Sequence, residues 1–190
     1  MRVFVTVGNA LVPFDRLLRM VDDAVDGADV EGVCQHGPSS VRPRGLRPVP
    51  GLSKLEFEAE MRAADVVVCH AGVGTLWSAI QEGHRPLVVP RRAALGEIIN
   101  DHQLEICEAL REGDRIELVE SAQTLRHWLL MPGPRAQPPK STQDAAIARV
   151  GEAVRLAGRD ARGVRFPRLL RALAALGPPL RSLTVRGPGQ

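Results

Sequence analysis

The residues best suited to chemistry in this sequence form a glycine-rich segment, HAGVGT at residues 70–75. The segment follows a β-branched run at 66–69 and precedes a helical pattern that ends before Gly83. Two glycines, a hydroxyl group and the first turn of a helix can present backbone N–H groups and a positive dipole end to a diphosphate. The segment therefore predicts a phosphate-binding loop, although a purely structural turn with this pattern stays an alternative.

A second candidate loop follows the first predicted strand, where Gly8 and Asn9 come directly after the apolar run at 3–7. In an open parallel sheet, ligands bind at the carboxyl ends of the strands, near the point where the strand order reverses. We therefore expect both loops to face one ligand. The sequence has no GxxxxGK[ST] motif, and its GxG lacks the third glycine of the dinucleotide motif, which disfavours ATPases and dehydrogenases.

The cysteines and acidic residues show no pattern of a metal or cofactor site. Cys34, Cys69 and Cys107 lie far apart among apolar residues, which predicts buried free thiols in a reducing compartment. Cys69 and His70 are adjacent, but neighbouring strand residues point to opposite faces and are not expected to share an ion. The sequence also has no Asp-x-Asp pair. It predicts no metal and no cofactor.

Alternating strand and helix patterns up to Met131 position these loops. Strands are predicted at 3–7, 30–35, 66–69, 86–89 and 116–119. Helices are predicted at 13–25, from a capping box at 53–56 to about 64, from 75 to 82, at 100–113 and from Ser121 to about 130. This alternation is typical of parallel βαβ units, so we predict an α/β fold with a Rossmann-like parallel sheet and helices on both faces.

Charge and proline content divide the chain after Met131. Residues 1–131 hold 14 basic and 19 acidic side chains, whereas residues 132–190 hold 11 basic and 3 acidic ones. Four prolines at 131–139 predict a linker, and apolar residues interleaved with arginines at 164–176 predict a basic amphipathic helix. We therefore predict a domain at 1–131, a Pro-rich linker at 132–140 and a basic, partly helical extension at 141–190.

Composition also limits the location and the partners of the protein. The basic excess belongs to the extension, and aromatic residues make up only 3% with no Tyr, so nucleic acid is not an expected partner. A signal peptide and a spanning apolar run are not found, which predicts a cytoplasmic protein. The helix at 164–176 can pack on the acidic domain, bind a partner or lie on anionic lipid. We predict peripheral association with the cytosolic face of a membrane.

Five segments that occur in order carry a family resemblance. They are TVG at 6–8, PFDRL at 13–17, ADVVVCHAGVGT at 64–75, the glycine at 83 with PLVVPR at 86–91, and DHQLE at 101–105. Over roughly residues 2–130 the set resembles the C-terminal domain of glycosyltransferase family 28. It is most similar to the small single-domain members, which are subunits of two-part UDP-N-acetylglucosamine transferases and exopolysaccharide transferases.

The resemblance implies half of a GT-B fold that binds a UDP-sugar donor as substrate. The acceptor would be bound by a separate, membrane-anchored glycosyltransferase subunit. The implied activity is an inverting, metal-independent hexosyl transfer to a lipid-linked or polysaccharide acceptor. The glycine loop and the helix start behind it would stabilise the charge that develops on the leaving diphosphate.

The resemblance also implies which residues bind the donor. They are Gly8, Asn9, His70, Gly72, Gly74, Thr75, Ser78, His102 and Gln103. The first two would face the donor, those at 70–75 would surround the diphosphate, and His102 and Gln103 would contact the transferred sugar. The catalytic residue is unknown, with His70 and His102 as candidates. Glu97 and Asp101 are candidate bases, although the resemblance implies that the base lies on the partner side.

One position departs from the family pattern. Ser78 stands where family members usually carry an acidic residue that holds the ribose hydroxyls, and a serine lacks the charge-assisted grip of a carboxylate. Glu82, one turn further along, could replace it or be a solvated surface residue. Two functions therefore remain open for the domain: a transferase subunit that works with a partner, and a non-catalytic half-domain that acts as a structural or regulatory subunit. A third alternative, nucleic-acid binding by the basic extension, predicts steeply salt-dependent affinity that is lost when residues 132–190 are removed.

Overall fold

The computed structural model describes residues 1–112, 114–131 and 133. The strands are β1 (Arg2–Thr6), β2 (Glu31–Gln35), β3 (Arg47–Val49), β4 (Val66–Cys69), β5 (Leu87–Val88) and β6 (Glu117–Leu118). The helices are α1 (Asp15–Val25), α2 (Lys54–Ala63), α3 (Val73–Gln81), α4 (His102–Glu112) and α5 (Ala122–Leu130), with a 3-10 helix at Ala93–Leu95. No helix among these residues is long and apolar enough to span a membrane. Apart from Gly133, the predicted linker and extension, including 164–176, lie outside the described residues.

The six strands form one parallel sheet in the order β3-β2-β1-β4-β5-β6. The chain builds outward from β1 to β3 and then returns to the other side of β1 as β4. The strand order therefore reverses between β1 and β4, which is where open α/β sheets bind ligands. The two loops that the sequence predicts to be functional follow these two strands, so their predicted proximity is confirmed.

Alternation along the strands buries both faces of the sheet. In β1, Val3 and Val5 pack with α1 and α5, whereas Phe4 packs with α2, α3 and α4 on the opposite face. In β4, Val68 lies on the same face as Val3 and Val5, and Val67 lies on the same face as Phe4. A parallel sheet needs apolar residues on both faces because its crossover helices cover both. The predicted Rossmann-like sheet with helices on two faces is confirmed.

Two helix-start signals in the sequence, those at Ser53 and Ser121, are confirmed as well. The N–H of Glu56 donates to Oγ of Ser53 over 3.3 Å, and the Glu56 carboxylate accepts from the N–H of Ser53 over 2.8 Å. This is the predicted capping box at the start of α2. At α5, Oγ of Ser121 accepts a hydrogen bond of 3.1 Å from the N–H of Thr124.

Strand β3 is the element that the sequence patterns missed. It has three residues, and its middle residue, Pro48, cannot donate a ladder hydrogen bond. Proline is confined to edge strands for this reason, and β3 is an edge strand that pairs with β2. The short length and the proline together hide the strand from a search for β-branched runs.

The three cysteines are buried and free, as predicted. Burial raises the pKa of Cys34 and of Cys107 to about 12, and it also raises the pKa of Cys69. These thiols stay protonated at neutral pH and pack as small apolar side chains. They take no part in the candidate site.

Candidate functional site

The start of α3 lies at the carboxyl end of β4, on the crevice where the strand order reverses. Its N-cap residue is Gly72, which has no side chain to bond the N–H groups of residues 73–75. These N–H groups and the helix dipole suit an anion. Gly74 is exposed, and a Cβ there would meet nothing within 4 Å, so this helix end is open to a ligand.

The imidazole of His70 lies between two glycines. A Cβ at Gly8 would be 2.3 Å from Cε1 of His70, and a Cβ at Gly72 would be 2.2 Å from Nε2. Gly8 also has a φ of +75°, in the left-handed region that favours glycine. Gly8 and Gly72 therefore make room for the ring of His70, a role that the sequence pattern did not reveal.

His70 is buried and neutral at pH 7. Its pKa is lowered to about 4, first by burial and then by the positive charge of Arg91. Within the described residues, Nδ1 of His70 is buried and has no hydrogen-bond partner. Buried ring nitrogens normally have one. The unpartnered Nδ1 and the open helix start are therefore the two unusual features of this edge.

A short chain of hydrogen bonds fixes the backbone after β1. Oγ1 of Thr6 donates to Oε1 of Gln35 over 2.6 Å, and the N–H of Gly8 donates to Oγ1 of Thr6 over 3.1 Å. Nε2 of Gln35 donates to Oδ1 of the exposed Asn9 over 3.2 Å. Sequence reasoning missed Thr6 and Gln35, and the available signal was a polar residue at the carboxyl end of each of two strands.

The start of α4 brings a further predicted residue to the same edge of the sheet. Gln103 is buried, and its Oε1 accepts a hydrogen bond of 3.0 Å from the N–H of Arg91. His102 is the first residue of α4, and its side chain lies outside what the structure describes. A sugar contact by these two residues stays a prediction.

The position predicted to hold the ribose is occupied by a serine that bonds within its own helix. Oγ of Ser78 donates to the carbonyl of Gly74 over 2.9 Å, so its hydroxyl proton is used while its oxygen can still accept. Glu82 lies near the end of the helix and pairs with Arg62 at 3.7 Å. Thr75 is half-buried in the first turn. Ser78 is therefore the polar side chain that α3 provides at the predicted ribose position.

The two candidate bases in the chain are used for structure. Oε1 of Glu97 accepts from Nε of Arg16 over 2.8 Å, and Oε2 accepts from Nη2 of Arg16 over 2.9 Å and from the N–H of Arg92 over 3.0 Å. Burial acts to raise the pKa of Glu97, but these hydrogen bonds and the nearby arginines lower it overall. Oδ1 of Asp101 accepts from the N–H of Ala93 over 2.8 Å. Both carboxylates therefore accept structural hydrogen bonds, and at Glu97 these bonds involve both oxygens.

Large apolar side chains are exposed on the loops that flank this edge. Leu11 is 93% exposed and Val12 is 41% exposed on the loop after β1, while Leu95 and Ile99 are 56% and 98% exposed on the loop after β5. Exposed apolar groups on loops beside a site are found at interaction surfaces. Among the described residues, no group of His, Cys, Asp and Glu side chains is placed to hold a metal ion.

Comparison with known proteins identifies the family. The sequence profile of the glycosyltransferase family 28 C-terminal domain matches residues 2–125. The chain belongs to this family. A curated relative, the UDP-N-acetylglucosamine transferase subunit ALG13 of Yarrowia lipolytica, is 28% identical over 126 residues. The match covers 58% of this chain and 60% of the relative.

Solved structures of glycosyltransferases share the fold. The glycosyltransferase SnogD from Streptomyces nogalater matches with a TM-score of 0.52 at 18% identity, covering 92% of this chain and 38% of that chain. The glycotransferase of kitacinnamycin matches with a TM-score of 0.52 at 17% identity, covering 91% of this chain and 40% of that chain. Both share the Rossmann-like sheet that forms one half of a GT-B fold. This family 28 chain thus spans about two fifths of the length of each.

Proposed function

We propose that this family 28 chain is the donor-binding subunit of a glycosyltransferase. In this proposal it binds a UDP-sugar and, with a partner subunit, transfers the sugar to a lipid-linked or polysaccharide acceptor. The observation that carries the proposal is the pairing of an open helix start with a buried, neutral His70 whose Nδ1 lacks a partner among the described residues. Both lie where the strand order reverses.

The arrangement suits a reaction in which charge builds up on a diphosphate. The acceptor hydroxyl attacks the anomeric carbon as its proton passes to a base that we place on the partner subunit. The bond from that carbon to the diphosphate oxygen breaks, and the nucleoside diphosphate leaves with the bonding electrons. The N–H groups at residues 73–75 and the dipole of α3 would stabilise this charge. We propose an inverting transfer without a metal ion, because these N–H groups would provide the stabilisation that a cation provides elsewhere.

A partner is part of the proposal because in-line transfer requires the acceptor to be held against the donor. The matching region of the relative belongs to a protein named as a transferase subunit, and this chain spans about 60% of that relative. The exposed Leu11, Val12, Leu95 and Ile99 give an acceptor-binding chain an apolar surface to bury beside the donor. We propose a cytoplasmic heteromer that takes part in polysaccharide or lipid-linked sugar synthesis.

One observation favours a second function. In Ser78 the site has a neutral hydroxyl that already bonds to Gly74, where the family usually has a carboxylate for the ribose. A half-domain that cannot hold the ribose would act as a structural or regulatory subunit. Titration separates the two functions, because this second one predicts no binding of nucleotide sugars.

Calorimetric titration of the full chain with UDP and with UDP-sugars tests the proposal. We expect UDP and one UDP-sugar to bind, and ADP, as the control nucleotide, to bind more weakly. The same chain without a partner is expected to transfer little or no labelled sugar to membrane-derived acceptors, since one half of the fold has no acceptor face. Chelators should leave transfer by the reconstituted pair unchanged.

Two results would count against parts of this proposal. Failure of UDP and of all UDP-sugars to bind would favour the non-catalytic function. Robust transfer by the purified chain alone would remove the need for a partner subunit.

A further inference from the structure

Arg91 is a charged residue with almost no contact with solvent. It is 1% exposed, and its Nη1 donates to the carbonyls of Val12 (3.0 Å), Pro13 (3.2 Å) and Glu97 (3.1 Å). Its Nη2 donates to the carbonyl of Val7 over 3.2 Å. One guanidinium group therefore binds four backbone carbonyls that belong to two different loops, the β1 loop (residues 7–14) and the β5 loop (residues 89–101).

These hydrogen bonds of Arg91 lie on both sides of Gly8 and Asn9, the two donor-binding residues predicted on the β1 loop. Val7 precedes Gly8 and Asn9, while Val12 and Pro13 follow them. The guanidinium thus holds both ends of residues 8–11 at once. A loop fixed at both ends loses little further freedom when a ligand binds, which favours affinity.

A second arginine makes the reciprocal connection. Arg16, on α1, donates from Nη2 to the carbonyl of Pro90 over 2.7 Å and forms two hydrogen bonds with Glu97. The ring of Phe14 lies under both arginines, 4.4 Å from the guanidinium carbon of Arg91 and 5.3 Å from that of Arg16. We call Arg91 together with the Arg16–Glu97 pair the arginine clamp.

The clamp also reaches the other parts of the site. The backbone N–H of Arg91 binds Gln103, which fixes the start of α4 against the β5 loop. The charge of Arg91 is close enough to His70 to lower the pKa of that ring. One residue therefore connects the β1 loop, the β5 loop, the start of α4 and His70.

Burial of a guanidinium group is costly, and it persists where hydrogen bonds compensate for the lost water. Burial lowers the pKa of Arg91, and within the described residues its Nε has no hydrogen-bond partner. The ring of Phe14 and four carbonyls compensate for much of this cost. Two loops at the edge of a sheet do not need a buried charge in order to fold. The buried guanidinium therefore points to a need for a fixed position of the β1 loop relative to the β5 loop.

We infer that Arg91 is a positioning residue, which with the Arg16–Glu97 pair holds the β1 and β5 loops in the geometry that binds the donor diphosphate. This inference rests on the proposed function. Arg91 acts through the loops and is not itself assigned a contact with the donor.

The test compares Arg91→Met and Arg91→Lys with Arg92→Met, the same change at an exposed neighbouring arginine. The full chain of each variant is titrated with UDP well below its melting temperature. We expect Arg91→Met to weaken UDP binding at least tenfold. Arg91→Lys should lie in between, because lysine keeps the charge but cannot bridge carbonyls on several sides. Arg92→Met should match the wild type.

A separate measurement of melting temperature distinguishes positioning from stability alone. A residue that only stabilises the fold would lower the melting temperature and leave the Kd of the folded variant unchanged, and that result would overturn the inference. If neither Arg91 variant folds, Arg16→Met tests the other half of the clamp by the same criterion. Wild-type chain that fails to bind UDP would instead overturn the proposed function, and the inference with it.

Discussion

At the scale of single residues, the two glycines of the GVG triplet have different roles although the sequence presents them alike. A Cβ at Gly72 would collide with Nε2 of His70, whereas a Cβ at Gly74 would meet open space. The ring of His70 cannot move aside easily, because Gly8 confines it from the other direction. Gly72 is therefore needed by the fold, and Gly74 is available for a ligand.

This difference leads to a prediction for valine substitutions. Gly72→Val should destabilise the chain by about 1–3 kcal/mol, the usual cost of overpacking a closed site, and should displace His70. Gly74→Val should keep most of the stability and abolish UDP binding, because its side chain would occupy the approach to the helix start. Thermal melts and calorimetry on both variants measure the two effects. Wild-type UDP affinity in Gly74→Val would reduce the segment to a structural turn.

Burial of His70 predicts how stability depends on pH. Its pKa is about 4 in the folded chain and about 6.5 when unfolded, so the unfolded chain binds the proton more tightly. The stabilising contribution is therefore complete above pH 6.5 and is lost as the pH falls from 6.5 to 4, by roughly 3 kcal/mol in all. Urea unfolding from pH 7 to 4 should show a shallower loss for His70→Asn than for the wild type.

The matched control for this measurement is His127→Asn, since His127 is an exposed histidine on α5. It makes the same histidine-to-asparagine change at the protein surface. Equal pH dependence in His70→Asn and in the wild type would mean that His70 is not buried as a neutral ring.

At the scale of elements, α3 carries the predicted diphosphate site at its start and the predicted ribose position in its middle. Ser78 lies one turn after Gly74 and bonds to it, so replacing the serine removes one local hydrogen bond. If this position faces the ribose, Ser78→Glu should tighten UDP binding by up to about 1.5–3 kcal/mol, the scale of a charged hydrogen bond. Calorimetry measures this, with the Kd for UMP as an internal comparison.

A control variant and a contrary outcome accompany this substitution. Ser78→Gln has a similar length without the charge and should gain less. Unchanged or weaker binding in Ser78→Glu would show that the helix no longer presents this position to a ribose, and it would favour the non-catalytic function.

The elements themselves were largely predictable, because their signals are local. Residues close in sequence fix several element boundaries. Examples are the β-branched run of β4, the capping box at Ser53 and the glycine after α3, Gly83, with a φ of +80°. The continuous apolar run of β4 predicted a strand that is covered on both faces. β3 could not be found, since its single β-branched residue and Pro48 give no local signal.

The candidate site was predictable only in part, because its supports are long-range. The glycine loop and the Gly8–Asn9 loop could be placed together from the rule for parallel sheets. The hydrogen bonds of Arg91 to Val7 and of Gln35 to Asn9 join residues that are far apart in sequence, and no spacing rule reveals them. The confinement of His70 by Gly8 also depends on the packing of two different loops.

At the scale of the whole molecule, the site occupies one open edge of a single sheet. The clamp fixes the loops on this edge, and the exposed Leu11 and Ile99 leave an apolar surface beside it. A proposed donor site next to apolar side chains that are exposed among the described residues is consistent with a reaction that needs a second chain. The proposed division of labour therefore follows from the shape of this edge as well as from family membership.

The last prediction concerns the basic extension, whose predicted helix at 164–176 lies outside the described residues. Residues 132–190 carry a net charge of +8, against −5 for residues 1–131. Each basic residue near an anionic surface contributes about 1 kcal/mol, so three arginines and a shallow apolar face are enough for reversible association. We expect the full chain to sediment with native membranes. A truncation after Met131, which keeps every described helix and strand, should remain in the supernatant.

Replacing Arg165, Arg168 and Arg171 by Gln should release the full chain, whereas Arg181→Gln with Arg186→Gln, outside the predicted helix, should release it less. Full-length chain that stays in the supernatant would contradict membrane association and would favour packing of the extension on the acidic domain.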